Sequence, residues 1–188
     1  IPLYTGFQLQ GAGMQFVEKL AWIPRFNIHY HLGVDGISML FILLNSFITP
    51  LVVIAGWTVI RQRVGQYMAS FLIMSGLLNG VFCALDGMLF YVFFEATLIP
   101  MFIIIGVWGG PNRVYAAVKF FLYTLLGSLL MLVALIYLYY KSGGSFEILD
   151  WHKLPLSLAA QQWLFFGFLL AFAVKVPMWP VHTWLPDA

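Results

Sequence analysis

A single carboxylate lies inside a long apolar stretch, FYVFFEATLIPMF, which runs from Phe90 to Phe102. This residue, Glu95, comes eight positions after Gly87, about 12 Å along a helix axis at 1.5 Å per residue. An ionised carboxylate at that depth in hydrocarbon costs about 2.5–3.5 kcal/mol on insertion scales, so it requires a cationic partner, a hydrated cavity or a proton. Glu95 is therefore the first candidate for a residue that binds and releases protons.

A lysine occupies a comparable position in the last apolar stretch. If a helix begins at Gln161, Lys175 lies about 21 Å along its axis, and Pro177 and Pro180 follow closely. Each proline removes an amide donor and crowds the carbonyl four residues earlier, so the helix should break beside the lysine. Broken helices recur at the ion sites of transporters. We interpret Glu95 and Lys175 as a proton-translocating pair, and a static ion pair that fixes helix registry is the alternative interpretation.

Two further ionisable residues, Lys119 and His182, are secondary candidates for proton transfer. Lys119 lies near the start of the fourth apolar stretch, where its long side chain could instead extend to the membrane surface. His182 follows the predicted helix break and could relay protons near neutral pH, although a lone histidine is more often a hydrogen-bonded packing residue.

The sequence lacks the patterns of a metal, nucleotide or redox site. His29, His31 and Asp35 lie close together, but no third and fourth ligands follow at a recognisable spacing, so we predict no metal site. The G-x-G pattern near the amino terminus lacks the third glycine and the context of a dinucleotide fold. A single cysteine, Cys83, cannot hold an iron–sulfur cluster. We therefore expect no cofactor on this chain.

The composition is that of a membrane protein. Of 188 residues, 62% are hydrophobic and 9% are charged, and the mean hydropathy of +0.93 lies outside the range of soluble domains. A net charge of +2 and the lack of a Lys/Arg cluster argue against nucleic-acid binding. The apolar residues are grouped into about five runs, each long enough to cross the hydrocarbon layer as a helix.

These runs define four regions of the chain. We expect an extracytoplasmic or interfacial loop, then four transmembrane helices, an extracytoplasmic connecting loop, and a broken fifth transmembrane helix truncated at its end, over residues 1–35, 36–140, 141–160 and 161–188. Short connections around Arg61, Arg63 and Arg113 make neighbouring helices antiparallel, and their positive charge indicates the cytoplasmic side. The predicted fold is an all-α bundle of about five transmembrane helices, the last broken at Pro177 and Pro180.

The sequence resembles a known family in three segments, which read FVEKLAWIPRFNIHYHLGVDGISM, FFEATLIPMFIIIGVWGG and AFAVKVPMWPVHTWLPDA. They are similar to the antiporter-like chain M of respiratory complex I, the proton-pumping NADH:quinone oxidoreductase, from about Gln15 to Ala188. The combination of EATLIPM with KxPMxPxHTWLPDA is more specific than any single motif above. The resemblance implies that the chain is a fragment of a larger antiporter-like fold built from two inverted repeats.

The resemblance also implies roles for the candidate residues. Glu95 and Lys175 match the charge pair of a half-channel, Lys119 matches the lysine of an AxKFF stretch, and His182 matches the histidine of HTWLP. The implied function is proton translocation by a membrane-arm subunit whose partners are the other membrane-arm subunits. NADH, flavin, iron–sulfur clusters and quinone are expected in those partner subunits. The implied location is the bacterial plasma membrane or the mitochondrial inner membrane.

Two other functions are compatible with the sequence. The same helices occur in multisubunit cation/proton antiporters, which resemble the complex I chains closely in this region. Alternatively, the segment is a structural spacer of the membrane arm whose charges hold helices in register. The spacer interpretation predicts that loss of the charges impairs assembly, whereas the translocation interpretation predicts that it impairs pumping.

Overall fold

A computed structural model describes residues 2–8, 10–11 and 13–188. The chain forms two compact units, residues 1–94 and residues 95–188. The described residues contain five helices that are long and apolar enough to cross a membrane, at Gly36–Gly56, Val64–Cys83, Gly87–Trp108, Arg113–Lys141 and Leu158–Lys175. The prediction of a multi-pass membrane protein with about five spanning helices is thereby confirmed.

The first unit begins with structure that the sequence did not reveal. After a short helix α1, Pro2–Gly6, come the antiparallel strands β1, Gln15–Ile23, and β2, Ile28–Val34. The segment 1–35 was predicted to be a loop, and the hairpin corrects that prediction. Nearly every residue of β1 is exposed, so β1 lacks the alternation of apolar and polar positions that identifies a strand. Asn27 has a positive φ of 52°, which turns the chain between the strands.

The first long helix, α2 (Gly36–Gly56), begins at a capping box. The Asp35 carboxylate accepts the Ser38 backbone N–H at 2.7 Å, and the Ser38 hydroxyl accepts the Asp35 backbone N–H at 2.8 Å. The bond from the Ser38 backbone N–H lowers the pKa of the Asp35 carboxyl below its ordinary value. Reciprocal bonds of this kind satisfy amides that the first helical turn leaves without partners.

Polar side chains join α2 to the next helix, α3 (Val64–Cys83). Asn45 of α2 donates to the Asn79 side chain at 2.8 Å and to the Ser75 carbonyl at 2.9 Å. Thr49 of α2 donates to the Ser75 hydroxyl at 2.9 Å. In hydrocarbon, where water cannot compete, such bonds hold neighbouring helices together.

A buried carboxylate connects the hairpin to the start of α4 (Gly87–Ala96). Asp86 is fully buried. One of its oxygens accepts the backbone N–H groups of Met88 and Leu89, and the other accepts the backbone N–H of His29 in β2. Asp86 therefore caps α4 and fixes β2 to the same point.

The third membrane-spanning segment is interrupted at Thr97, which separates α4 from α5 (Leu98–Trp108). Pro100 has no backbone N–H and therefore leaves the carbonyl of Ala96 without its usual helical donor. The interruption follows Glu95 by two residues, so the carboxylate lies in the last turn of α4.

In the second unit, α6 (Arg113–Lys141) packs against both α5 and α8 (Leu158–Lys175). A short helix, α7 (Ile148–Trp151), lies in the connection predicted as a loop over residues 141–160. Gly127 favours close packing of α6 on α8, because a Cβ there would lie 3.0 Å from the Val174 side chain and the valine would have to shift.

The fifth spanning helix begins earlier than the predicted Gln161. The Ser157 hydroxyl accepts the Ala160 backbone N–H, and this N-cap begins α8 at Leu158. Lys175 is the last residue of α8, about 26 Å from its start at 1.5 Å per residue. The segment after it, residues 176–188, consists of turns and a 3-10 helix at Leu185–Asp187.

Candidate functional site

The end of α8 places Lys175 beside a backbone break whose carbonyls are satisfied by protein. The carbonyl of Ala173 accepts the Met178 backbone N–H at 2.8 Å. The carbonyl of Val174 accepts the indole N–H of Trp184, also at 2.8 Å. Irregular backbone can persist at membrane depth when it is satisfied in this way. The predicted break beside the lysine is therefore present, and the lysine is the residue at which the helix ends.

Trp184 fixes the segment that follows the break. Its side chain is buried and contacts the Phe120 ring edge-on, with ring centroids 5.0 Å apart. Leu98 of α5 and Ala117 of α6 belong to the same buried cluster. The segment after α8 is thus held against α5 and α6 by an apolar core.

The ammonium of Lys175 contacts the interruption between α4 and α5. Its Nζ donates to the Thr97 hydroxyl at 2.9 Å, and the Thr97 side chain is buried, with 5% of its surface exposed. The ammonium also lies within electrostatic range of the Glu95 carboxylate. A positive charge in the last turn of α8 is favourable because the partial charge at that end of a helix is negative.

Glu95 has a hydroxyl partner of its own. Its half-buried carboxylate lies beside the buried Ser128 hydroxyl of α6 and interacts electrostatically with Lys175. Among the described residues, its Oε1 atom is buried without a hydrogen-bond partner. A carboxylate with one oxygen left in this state has an acceptor position available for a proton or a water molecule.

Lys119 is placed in a separate contact. Its Nζ forms a 2.6 Å ion pair with Asp187, which lies in the 3-10 helix after the break, and it lies 5.7 Å from the centroid of the Tyr115 ring. The ion pair joins α6 to the last turn of the chain. The structure therefore places Glu95 and Lys175 within electrostatic range of each other, whereas it pairs Lys119 with a residue that the sequence did not suggest.

His182 lies between the break and Trp184. The imidazole is half-buried, and its Nδ1 is buried without a hydrogen-bond partner among the described residues. Its backbone carbonyl accepts the Leu185 N–H at 3.0 Å. The ring nitrogen is thus positioned to accept a proton or a water molecule.

Three residues at or beside the site were not predicted from the sequence: Thr97, Ser128 and Asp187. Polar residues in apolar helices are a signal that could have suggested the first two, but hydroxyl residues are also tolerated in membrane helices when they bond to their own backbone. In the part of the chain that the structure describes, no group of three His, Cys, Asp or Glu side chains is arranged to hold a metal ion.

The amino-acid sequence matches two described families. The family described as NADH:quinone oxidoreductase/Mrp antiporter, TM, matches residues 84–188, which is more than half of the chain. The chain belongs to this antiporter family. The description NADH-ubiquinone oxidoreductase chain 4, amino terminus, matches residues 13–84. Together the two matches cover nearly the whole sequence.

Relatives from bacteria and plants are identical to this chain at about half of the aligned positions. It is 52% identical over 200 residues to NADH-quinone oxidoreductase subunit M of Rhodobacter capsulatus, covering 99% of this chain and 38% of the relative. It is 48% identical over 189 residues to NADH-ubiquinone oxidoreductase chain 4 of Arabidopsis thaliana, covering 100% and 38%. These relatives confirm the resemblance to chain M of complex I, and the chain spans 38% of their length.

Solved structures confirm the antiporter-like fold. Respiratory complex I from Thermus thermophilus with bound NADH contains a chain that is 38% identical, with a TM-score of 0.82 over 95% of this chain and 38% of that chain. The Mrp complex from Dietzia sp. DQ12-45-1b contains a chain with a TM-score of 0.82 at 22% identity, over 99% of this chain and 20% of that chain. The second likeness shows the fold alone.

Proposed function

We propose that this chain is a proton-translocating part of a membrane-arm subunit of NADH:quinone oxidoreductase, coupling quinone reduction to proton pumping. The observation that supports the proposal is that Glu95 and Lys175 lie within electrostatic range of each other, each beside a helix break. Each charge also has a hydroxyl partner, Ser128 for the carboxylate and Thr97 for the ammonium. Ionisable groups at membrane depth are characteristic of proton pathways.

The pair can bind and release a proton because each charge stabilises the other. While Glu95 is ionised, its charge favours the protonated form of Lys175. When Glu95 is protonated or moves away, that attraction is lost and Lys175 releases its proton more readily. Unlike charges interact strongly where water is scarce, so a small displacement changes proton occupancy. The two groups then titrate as a coupled pair.

His182 and Lys119 have secondary roles in the proposal. The Nδ1 of His182, which has no hydrogen-bond partner among the described residues, accepts a proton on the path beyond the helix break. Lys119 carries a second exchangeable proton and is held by Asp187. Both residues lie in the second unit together with the Glu95–Lys175 pair.

Electron transfer belongs to partner subunits in this proposal. NADH, flavin, iron–sulfur clusters and quinone are bound there, and the chain carries no redox or nucleotide site itself. The sequence contains one cysteine, too few thiolates for an iron–sulfur cluster. The partners are the other membrane-arm subunits, and the location is the bacterial plasma membrane or the mitochondrial inner membrane.

The similarity to relatives favours complex I over a cation/proton antiporter. Identity reaches 52% with subunit M of Rhodobacter capsulatus and falls to 22% with the Mrp chain. The antiporter alternative predicts that vesicles exchange sodium for protons without NADH. That exchange is measured directly by adding sodium to vesicles that hold a pH gradient and recording its collapse.

The test uses the intact complex that carries this chain, in sealed membrane vesicles. Glu95→Gln and Lys175→Ala are each expected to lower the rate of NADH-driven proton pumping per assembled complex by about tenfold or more. A barrier higher by about 1.4 kcal/mol slows a step tenfold, and leaving a charge unpaired in hydrocarbon costs more than that. Glu18→Gln and Lys153→Ala alter exposed residues of the same types and should leave pumping unchanged.

Assembly is measured on the same membranes by native gel electrophoresis. Normal pumping in both assembled variants would eliminate the proposed function. Loss of assembly in both variants, with normal pumping by the residual complex, would instead support the structural spacer. Normal assembly with impaired pumping supports translocation.

A further inference from the structure

Thr97 lies at the meeting point of the two helix breaks. It separates α4 from α5, and its hydroxyl accepts the Lys175 N–H at 2.9 Å. Its backbone remains close to helical, with φ −61° and ψ −20°. The Thr97 side chain is 5% exposed. The hydroxyl is therefore a buried partner of the ammonium, held on a different helix from the lysine.

The other buried threonine of this unit, Thr124, provides a comparison. Thr124 lies in the interior of α6, and its hydroxyl donates to the carbonyls of Phe120 and Phe121 of the same helix. Bonding to the preceding turn is the ordinary behaviour of a threonine inside a helix. The Thr97 hydroxyl contacts a side chain that is 78 residues away in sequence.

A hydroxyl can bind both protonation states of a lysine. It has one O–H donor and two acceptor lone pairs, so it can accept from an ammonium and donate to a neutral amine. An ionised carboxylate can only accept, and its attraction to Lys175 disappears when the amine is neutral. Glu95 therefore holds the charged lysine, whereas Thr97 can hold the charged and the neutral lysine alike.

We infer that Thr97 is a positioning residue that keeps the Lys175 amine in place while it lacks its proton, so that the amine can be reprotonated within reach of Glu95. This inference rests on the proposed function. In this role Thr97 does not itself carry a proton along the translocation path.

Three variants test the inference in the intact complex. Thr97→Val removes the hydroxyl with almost no change of shape, and Thr97→Ser retains it. Thr124→Val removes a buried hydroxyl that donates to the Phe120 and Phe121 carbonyls of its own helix. The measurement is the rate of NADH-driven proton pumping per assembled complex in sealed vesicles. Thr97→Val should lower it by about tenfold, as expected for loss of a hydrogen bond to a charged group. Thr97→Ser should restore at least half of it, and Thr124→Val should leave it near the native value.

Several results would overturn the inference. Native pumping in Thr97→Val would do so, as would equal loss in Thr97→Ser and Thr97→Val. If Thr97→Val does not assemble, Thr97→Ala is compared with Thr97→Ser. If neither hydroxyl-free variant assembles and Thr97→Ser assembles normally, the residue is needed for folding rather than for positioning. Native pumping in Thr97→Val together with loss in Glu95→Gln would overturn this inference alone, whereas native pumping in both Glu95→Gln and Lys175→Ala would overturn the proposed function.

Discussion

Replacing Asp86 by alanine should open the connection between the hairpin and α4. The carboxylate accepts three backbone N–H groups, from His29, Met88 and Leu89, at 2.9–3.0 Å, and it is fully buried. Each buried donor left without a partner costs about 1–3 kcal/mol. At the low end of that range, the loss of three partners destabilises the closed connection by about 3 kcal/mol.

Hydrogen exchange measures this loss at the amides concerned. A change of about 3 kcal/mol in opening free energy corresponds to exchange that is more than about 100-fold faster. Mass spectrometry of the intact protein in detergent should show this acceleration in peptides that cover residues 28–34 and 87–90. Residues 113–141 belong to the other unit and provide the internal reference.

Two variants make the prediction graded. Asp86→Asn can keep the oxygen that accepts from Met88 and Leu89, but its amide presents a donor toward the His29 N–H. It should therefore affect the hairpin more than the helix. Asp35→Ala removes a half-buried N-cap, and water can replace the carboxylate at the Ser38 backbone N–H. The variant should therefore destabilise the start of α2 by only about 1 kcal/mol. Exchange within about threefold of native in Asp86→Ala, or an equal effect of Asp35→Ala, would refute the reasoning.

Two further predictions concern the carboxylates of Asp187 and Asp35. Lys119→Gln and Asp187→Asn should each lower the yield of assembled complex by roughly twofold or less, since a partly exposed ion pair contributes little. The double variant should lower the yield no further, because both changes remove the same contact. Additive losses on native gels would contradict this prediction. The pKa of Asp35 is lowered by its bond from the Ser38 backbone N–H, so the carboxylate stabilises the fold above its ordinary pKa of about 3.9 and loses that contribution as the pH falls through its lowered value. The difference in thermal stability between the native protein and Asp35→Asn should be largest near neutral pH and shrink below about pH 4, and a difference independent of pH would contradict the assignment.

The spanning helices could be predicted because hydrocarbon imposes a length on apolar runs. The break at the end of α8 could be predicted because Pro177 cannot donate to the preceding turn. The hairpin could not, because β1 is exposed along nearly its whole length and its pairing depends on β2 and on the turn at Asn27. The start of α8 was misplaced by three residues because the N-cap at Ser157 lies outside the apolar run.

The candidate site was only partly visible in the sequence. Glu95 and Lys175 stand out because ionised groups are rare inside apolar helices. Thr97 and Thr124 do not differ in residue type, yet Thr97 lies against Lys175 of α8, whereas Thr124 lies in the interior of α6. The distinction depends on the interruption at Thr97 and on the packing of three helices. Neither the interruption nor the packing can be read from the local sequence.

The placement of the site at helix ends has a mechanical consequence. Glu95 and Thr97 lie at the α4–α5 interruption, Ser128 lies in α6, and Lys175 ends α8. Each charge therefore has partners on a helix other than its own, so a shift of one helix changes the polar contacts of both charges together. A proton or ligand that binds more tightly to one arrangement of the helices stabilises that arrangement by the difference in binding free energy. If the Glu95–Lys175 pair binds and releases protons as proposed, its proton occupancy is linked to the relative positions of α5, α6 and α8.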